Sequence, residues 1–385
     1  MPAPFTFRTV LTPTAVFRPV LGWGAFLTVL FAAPALAGPL PTPVLWAVLA
    51  GIVAVIVVCA FGVVTQAEHL ARRLGEPYGT LVLTLSIMLI EVILISAVML
   101  GPGEHATIAR DSVMAVSMII LNLVIGAALL AGGLRHRDLR PNRAGVSAYL
   151  TLLLVLLVIA FALPGLVGTE GGYTSGQAVP VIVLTVVLYG FFLHRQTGAR
   201  RADFQEVTAG RSVGAPDAEE SGRPGLGPLG VPARHRSEIV ARTVLLVVTV
   251  VPIVLLSHDM TARLDDGLGR AGAPVATTGV LIAMIVFLPE TITTIRAALG
   301  GEIQRVSNLC HGALVSTVGL TIPSVLTIGL LTGQSVVLAE GPAGLLLLGA
   351  TLLLTLVTFS GRRVTAPQGA AHLLLFALYG VSVFA

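Results

Sequence analysis

The sequence predicts an all-α polytopic membrane protein of about eleven transmembrane helices, and three observations lead there. Of its 385 residues 55% are hydrophobic and only 11% charged, against an apolar share of about 45–50% in soluble domains; the mean hydropathy is +0.94. The apolar residues fall into runs of about 20, the length that crosses a hydrocarbon core of about 30 Å. The cations are all arginine, 23 of them, and they gather in alternate loops.

The runs lie at 20–37, 43–65, 78–100, 112–133, 147–167, 178–194, 239–257, 275–297, 309–331, 342–359 and 367–385. Pro41, Pro43, Pro141, Pro180 and Pro367 stand near starts, where a missing N–H costs nothing. Pro252, Pro289 and Pro323 stand inside runs, where each must release a backbone carbonyl and kink or interrupt its helix. With the N-terminus inside, one face collects every arginine except Arg110, Arg263 and Arg270, the bias of a cytoplasmic face. The expected setting is the plasma membrane, with the N-terminus and the 195–238 loop cytoplasmic. The net charge of +4 and pI near 9.6 then reflect topology, and no nucleic-acid partner is expected. Ala35-Leu36-Ala37 resembles a signal-peptidase site, but the long leading segment and the charge pattern favour a retained first helix. Cys59 and Cys310 lack metal-ligand spacing and read as buried thiols.

Four segments follow. Residues 1–40 hold the N-terminal segment and first helix, 41–194 a five-helix repeat, 195–238 a linker, and 239–385 a second five-helix repeat. The linker is rich in Arg, Gly and Pro, with an acidic group at Asp217, Glu219 and Glu220; it cannot bury enough surface to fold alone and reads as a flexible cytoplasmic connection. An odd number of spans per repeat turns the second copy upside down, the inverted-repeat arrangement that places substrates near the bilayer midplane where helices are broken.

Two carboxylates then stand out. Glu290 lies deep in GVLIAMIVFLPETITTIR (279–296), and Glu91 lies at similar depth in YGTLVLTLSIMLIEVILISAVML (78–100). An ionised carboxylate at mid-bilayer costs about 2.5–3.5 kcal/mol on insertion scales, so such a residue is by default functional. Both are expected to bind cations and protons, and to serve as the metal ligands. Leu288-Pro289-Glu290 is a candidate helix break, with the Ile285 carbonyl released. Thr84, Asn122, Thr294, Asn308, Ser316 and Thr317 are candidate lining residues, set against the ordinary role of such groups in satisfying backbone carbonyls or bridging helices. His311 is a candidate proton relay because an imidazole titrates near neutrality.

Two carboxylates in a dry site ionise together only where something cancels their charge, so one divalent cation or two protons can neutralise the pair. That mutual exclusion is sufficient for antiport of calcium against protons, or of sodium or potassium at the same site. No resident cofactor is expected; the partners are the lipid bilayer, the transported cations and protons. Signatures of intramembrane enzymes, a Ser/His protease, HExxH or Asp-rich diphosphate motifs, are not found, and a receptor or scaffold is the remaining alternative.

RRLGEPYGTLVLTLSIMLIEVILI (72–95), FLPETITTIRAALGGEIQRVSNLCHGALVSTVGLTIPSV (287–325) and GAAHLLLFALYGVSVFA (369–385) resemble the ChaA-type calcium/proton (sodium/proton) antiporters of the cation/calcium exchanger superfamily. The resemblance spans nearly the whole chain. It implies an eleven-helix, 1+5+5 fold with Glu91 and Glu290 in the positions of the paired transport carboxylates. Ile87-Met88 and Val286-Phe287 stand where broader calcium/proton exchangers carry Gly-Asn, and Gly312-Ala313 where they carry Gly-Ser. Those departures remove amide and hydroxyl donors.

Overall fold

The computed structural model describes residues 10–36, 38, 40–74, 91–92, 95–96, 99, 106–136, 139–198, 200–206, 233–274 and 276–384. The protein is all-α and polytopic. Its described helices are α1 (Pro13–Leu36) and α2 (Thr42–Leu74), α3 (Ile108–Arg135), α4 (Arg143–Val167) and α5 (Ser175–Thr197), α6 (Ala233–Arg270), α7 (Ala276–Leu299), α8 (Ile303–Thr332), α9 (Pro342–Ser360) and α10 (Ala366–Phe384). Among the described residues nine helices are long and apolar enough to cross a membrane, or ten if the bent α7 is one span. Most of the expected 78–100 span, with Thr84, lies outside the described residues, as does 207–232 of the linker.

Several helices outrun their apolar cores because local ion pairs hold the polar turns helical. In α6, Arg242–Glu238 at 3.1 Å, Arg263–Asp259 at 3.1 Å and Arg270–Asp266 at 2.6 Å each join residues one turn apart. The helix therefore extends from 233 to 270, well beyond the apolar run at 239–257. The expected linker is accordingly shorter at both ends, with its first residues forming the last turn of α5 and a tight turn at Arg201–Phe204.

The prolines act as expected only in part. α7 bends by 55° between Thr277–Ile285 and Phe287–Leu299, next to the Ile285 carbonyl, whose i+4 position is Pro289 and so offers no N–H. α8 and α6 continue as single helices through Pro323 and Pro252. At Pro252 the carbonyl that loses its intrahelical donor is that of Val248, and the Trp23 indole N–H donates to it at 3.1 Å. That bond helps dock α1 on α6. Gly22 provides the clearance, since a Cβ there would come within 2.9 Å of the Pro252 ring and 3.0 Å of the Cys59 sulfur.

The protein's interior lies around α3 and α8, the two most enclosed spans, while α1, α5, α9 and α10 present broad apolar faces outward. Burial on all sides explains the polar content of α3 and α8: Asn122, Ser307, His311 and Thr317 are inaccessible or nearly so, and in a dry environment each must find a protein partner. On the Arg-poor face the 333–341 segment closes over the ends of α3 and α4, with Val337 N–H donating to Ala106 and Glu340 N–H to Phe161. On the Arg-rich face the 139–142 and 361–364 segments meet in an isolated bridge between Leu139 and Val364.

Candidate functional site

Glu91 and Glu290 are both buried, with 4% and 8% of their surface exposed. Thr317 on α8 donates its hydroxyl to Glu91 Oε2 at 2.8 Å, so a helix of the second half grips the carboxylate of the first. Glu290 follows the bend in α7, close enough to Glu91 for the charge of one to act on the other. Each carboxyl keeps one buried oxygen, Oε1 of Glu91 and Oε2 of Glu290, with no hydrogen-bond partner among the described residues. Leaving such an atom unpaired costs about 1–3 kcal/mol, and more if it is charged. Two such atoms, on carboxylates that feel one another's charge, are a burial cost left uncompensated among the described residues.

α7 and α8 supply the surroundings. Thr294, one turn after Glu290, shares a hydrogen bond with the Cys310 thiol, which itself lies within the field of Glu290. Cys310 is thus a neighbour of the site, which its solitary spacing did not reveal. Thr321, one turn beyond Thr317 on the same face of α8, is fully buried, and its hydroxyl has no hydrogen-bond partner among the described residues. The i, i+4 hydroxyl pair Thr317/Thr321 was the available signal for it.

Other expected lining residues are engaged elsewhere. Ser316 accepts from the Tyr189 hydroxyl at 3.0 Å, and a Cβ at Gly319 would press on that same ring at 3.0 Å. Asn308 receives Gln304 Nε2 at 3.0 Å and donates to the Phe204 carbonyl at 2.7 Å. It fastens the first turn of the linker under α8. Asn122 sits in a π turn at Ile119–Val124 within α3; its amide donates to Thr351 Oγ1 at 2.8 Å and its oxygen meets His372 Nδ1 at 3.2 Å. His372 Nε2 in turn meets Thr358 Oγ1 at 3.3 Å. Thr84 lies outside the described residues.

His311 is fully buried on α8, its Nδ1 bonded to Ser307 Oγ at 2.9 Å and its Nε2 without a partner among the described residues. Its ring lies edge-on to Phe359, with centroids 5.1 Å apart. Among the described residues no three His, Cys, Asp or Glu side chains come together as a metal cluster. Any cation held here would rest on the two carboxylates and on neutral oxygens.

Charged groups guard the two faces. On one, Arg110 pairs with Asp111 at 2.8 Å and reaches Glu340 at 4.0 Å; burial pushes the Glu340 carboxyl above the ordinary range, opposed by the Gly341 N–H and Arg110. On the other, Glu206 accepts the Arg305 N–H at 3.0 Å at the first turn of α8, where a carboxylate complements the helix dipole. Burial still holds its carboxyl above the ordinary range.

The family model described as "Sodium/calcium exchanger protein" matches residues 44–198 and again 241–385. The sodium-potassium/proton antiporter ChaA of Escherichia coli (strain K12) is 33% identical over 326 residues, covering 85% of this chain and 86% of that protein. Among solved structures, native YfkE superposes with a TM-score of 0.67 at 15% identity, covering 95% of this chain and 98% of that one. The H+/Ca2+ exchanger CAX superposes with a TM-score of 0.63 at 15% identity, covering 96% and 89%. At that identity the structural likeness speaks for the fold alone, whereas the repeated family match covers most of the sequence: the chain belongs to the sodium/calcium exchanger protein family of cation antiporters.

Proposed function

We propose that the protein exchanges a cation for protons across the membrane, with Glu91 and Glu290 holding the two in turn. The observation that carries this is the pair of buried carboxylate oxygens, one contributed by each half, that have no hydrogen-bond partner among the described residues. Protonation gives each oxygen a hydrogen-bonding hydrogen and removes the charge; a bound cation cancels the charge directly. The two states exclude one another. The neutral site crosses between inward- and outward-facing forms, while the empty, doubly charged one crosses poorly.

The remaining residues divide the work. Thr317 orients Glu91, and Thr294 and Thr321 offer neutral oxygens nearby. His311, with one nitrogen fixed by Ser307 and the other unpartnered, passes protons between the site and the Arg-rich face. Residues 41–194 and 239–385 act as inverted repeats, each supplying one carboxylate, and the N-terminus and linker face the cytoplasm of a plasma-membrane protein.

For the cation, the donor set favours sodium or potassium. Calcium takes six to eight oxygens, and apolar Phe287 and Leu288 occupy the turn before Glu290. The 33% identical relative is likewise described as a sodium-potassium/proton antiporter. Calcium is the second reading, supported by the match between its charge and the two carboxylates. Inverted vesicles loaded with protons and given sodium, potassium and calcium in turn distinguish them through a pH-sensitive dye. Dequenching by the alkali cations at lower concentration than by calcium is expected; no dequenching by any cation would overturn the proposal.

A further inference from the structure

The Arg-rich face carries a feature that ion exchange does not use. Where the 139–144 and 361–364 segments meet, a cavity of about 650 Å³ is lined by Arg140, Pro141, Asn142, Arg143, Arg362 and Arg363, together with Ala144. Four guanidinium groups face one space from two short connections, one in each half of the chain. The Leu139–Val364 bridge and a 3.3 Å bond from Arg143 Nε to the Gly361 carbonyl hold those connections together. A second cavity of about 410 Å³ adjoins it, since Ala144 lines both. This one is a groove between α4 and α5 with an apolar floor of Leu152, Val155, Leu188 and Phe191, and with Arg195 and Arg200 at its mouth.

The two cavities have the dimensions and chemistry of a single amphiphile. From Ala144 to Val155 the α4 backbone rises roughly 16 Å at 1.5 Å per residue, close to half the hydrocarbon thickness of about 30 Å and therefore to one leaflet. The groove opens outward, with Val155 43% and Phe191 61% exposed. Across the two linings stand six arginines and one carboxylate, that of Asp203. Guanidinium groups bind phosphate oxygens in paired hydrogen bonds. A soluble anion would explain the arginines but not the apolar groove that continues from them.

We propose that this paired cavity binds an anionic phospholipid of the adjoining leaflet. Its phosphate lies among Arg140, Arg143, Arg362 and Arg363, and an acyl chain follows the groove between α4 and α5. The lipid would bridge the connection of the first half to that of the second, beside the turn at Arg201–Phe204 where the linker begins, and so tie the Arg-rich ends of α4, α5, α9 and α10 together.

Native mass spectrometry of the full chain tests this, after incubation in detergent with phosphatidylglycerol or with phosphatidylcholine bearing the same acyl chains. Selective retention of phosphatidylglycerol is expected. At roughly fivefold in affinity for each arginine near an anionic lipid, R362Q/R363Q should weaken retention by roughly thirtyfold. R195Q/R200Q, at the groove's mouth, provides an independent variant with an expected loss in the same direction, and both are compared at matched elution volume. Equal retention of the two lipids, or wild-type retention in both variants, would overturn the proposal. So would complete displacement of phosphatidylglycerol by inorganic phosphate, which would identify a soluble-anion site.

Discussion

Two buried polar clusters lie within the same helical bundle, and they are built on opposite terms. The Asn122 cluster is closed: the Asn122 amide joins Thr351 to His372, and His372 continues to Thr358, so that donors and acceptors are matched across α3, α9 and α10. The Glu91/Glu290 cluster is open: among the described residues Thr317 donates one hydrogen bond to Glu91, and two buried carboxylate oxygens have no partner. Both required taking polar groups out of water, yet only the first recovers that cost within the protein. A matched network fixes helices; on the function proposed above, the unmatched carboxylates hold a cation and protons in turn.

The sharpest way to break this contrast is to remove charge from the open cluster. Glu290→Gln is expected to reduce exchange to vesicle background, more than about a hundredfold, while leaving the thermal unfolding temperature in detergent unchanged or raised, because a buried acid is lost. Thr317→Val comes next. It leaves a third carboxylate oxygen unpartnered, and the expected result is a rise in the half-saturating cation concentration of about tenfold, corresponding to about 1–2 kcal/mol, read in the same vesicle assay.

In the closed cluster the effects should fall on stability. Asn122→Leu strands Thr351 and His372 and is expected to cost about 1–3 kcal/mol, seen as a lower unfolding temperature, with cation affinity in folded protein changed less than in Thr317→Val. Loss of exchange without loss of stability would erase the distinction between the clusters.

The smallest effect concerns Glu206, at the linker's first turn. Burial, reinforced by the Glu302 charge and opposed by the Arg305 and Gln304 N–H groups, holds its carboxyl above the ordinary range. The folded chain therefore keeps this proton more readily than the unfolded one. Its contribution is complete below the unfolded value of about 4.3 and is lost as pH rises through the raised value. Glu206→Gln, which cannot ionise, should gain on the wild type over that window by less than about 1 kcal/mol, given the partial exposure; unfolding temperature against pH measures it.

How much of this was legible in the sequence follows from what kind of signal each feature leaves. Bilayer-length apolar runs announce themselves, so the all-α polytopic fold could be read directly, as could the bend at Pro289, where a proline stands beside an acid. Helix ends could not, because Asp259, Arg263, Asp266 and Arg270 resemble a solvated loop until their one-turn spacing is given weight. Within the site, the depth of Glu91 and Glu290 set them apart, while Cys310 carried nothing unusual in its local sequence and Thr321 only its one-turn spacing from Thr317. Asn122, Asn308 and Ser316 illustrate the converse. A buried amide or hydroxyl must have a partner, but sequence does not say whether that partner is an ion, a tyrosine on α5 or the carbonyl of Phe204.

The central claim, that cation and protons share one pair of carboxylates, is tested most directly by proton release on cation binding. Purified protein in weakly buffered detergent, given sodium, potassium or calcium, should release protons in proportion to the cation bound. Glu91→Gln/Glu290→Gln should release none. Cation binding by the wild type without proton release, or undiminished release from the double variant, would contradict the account.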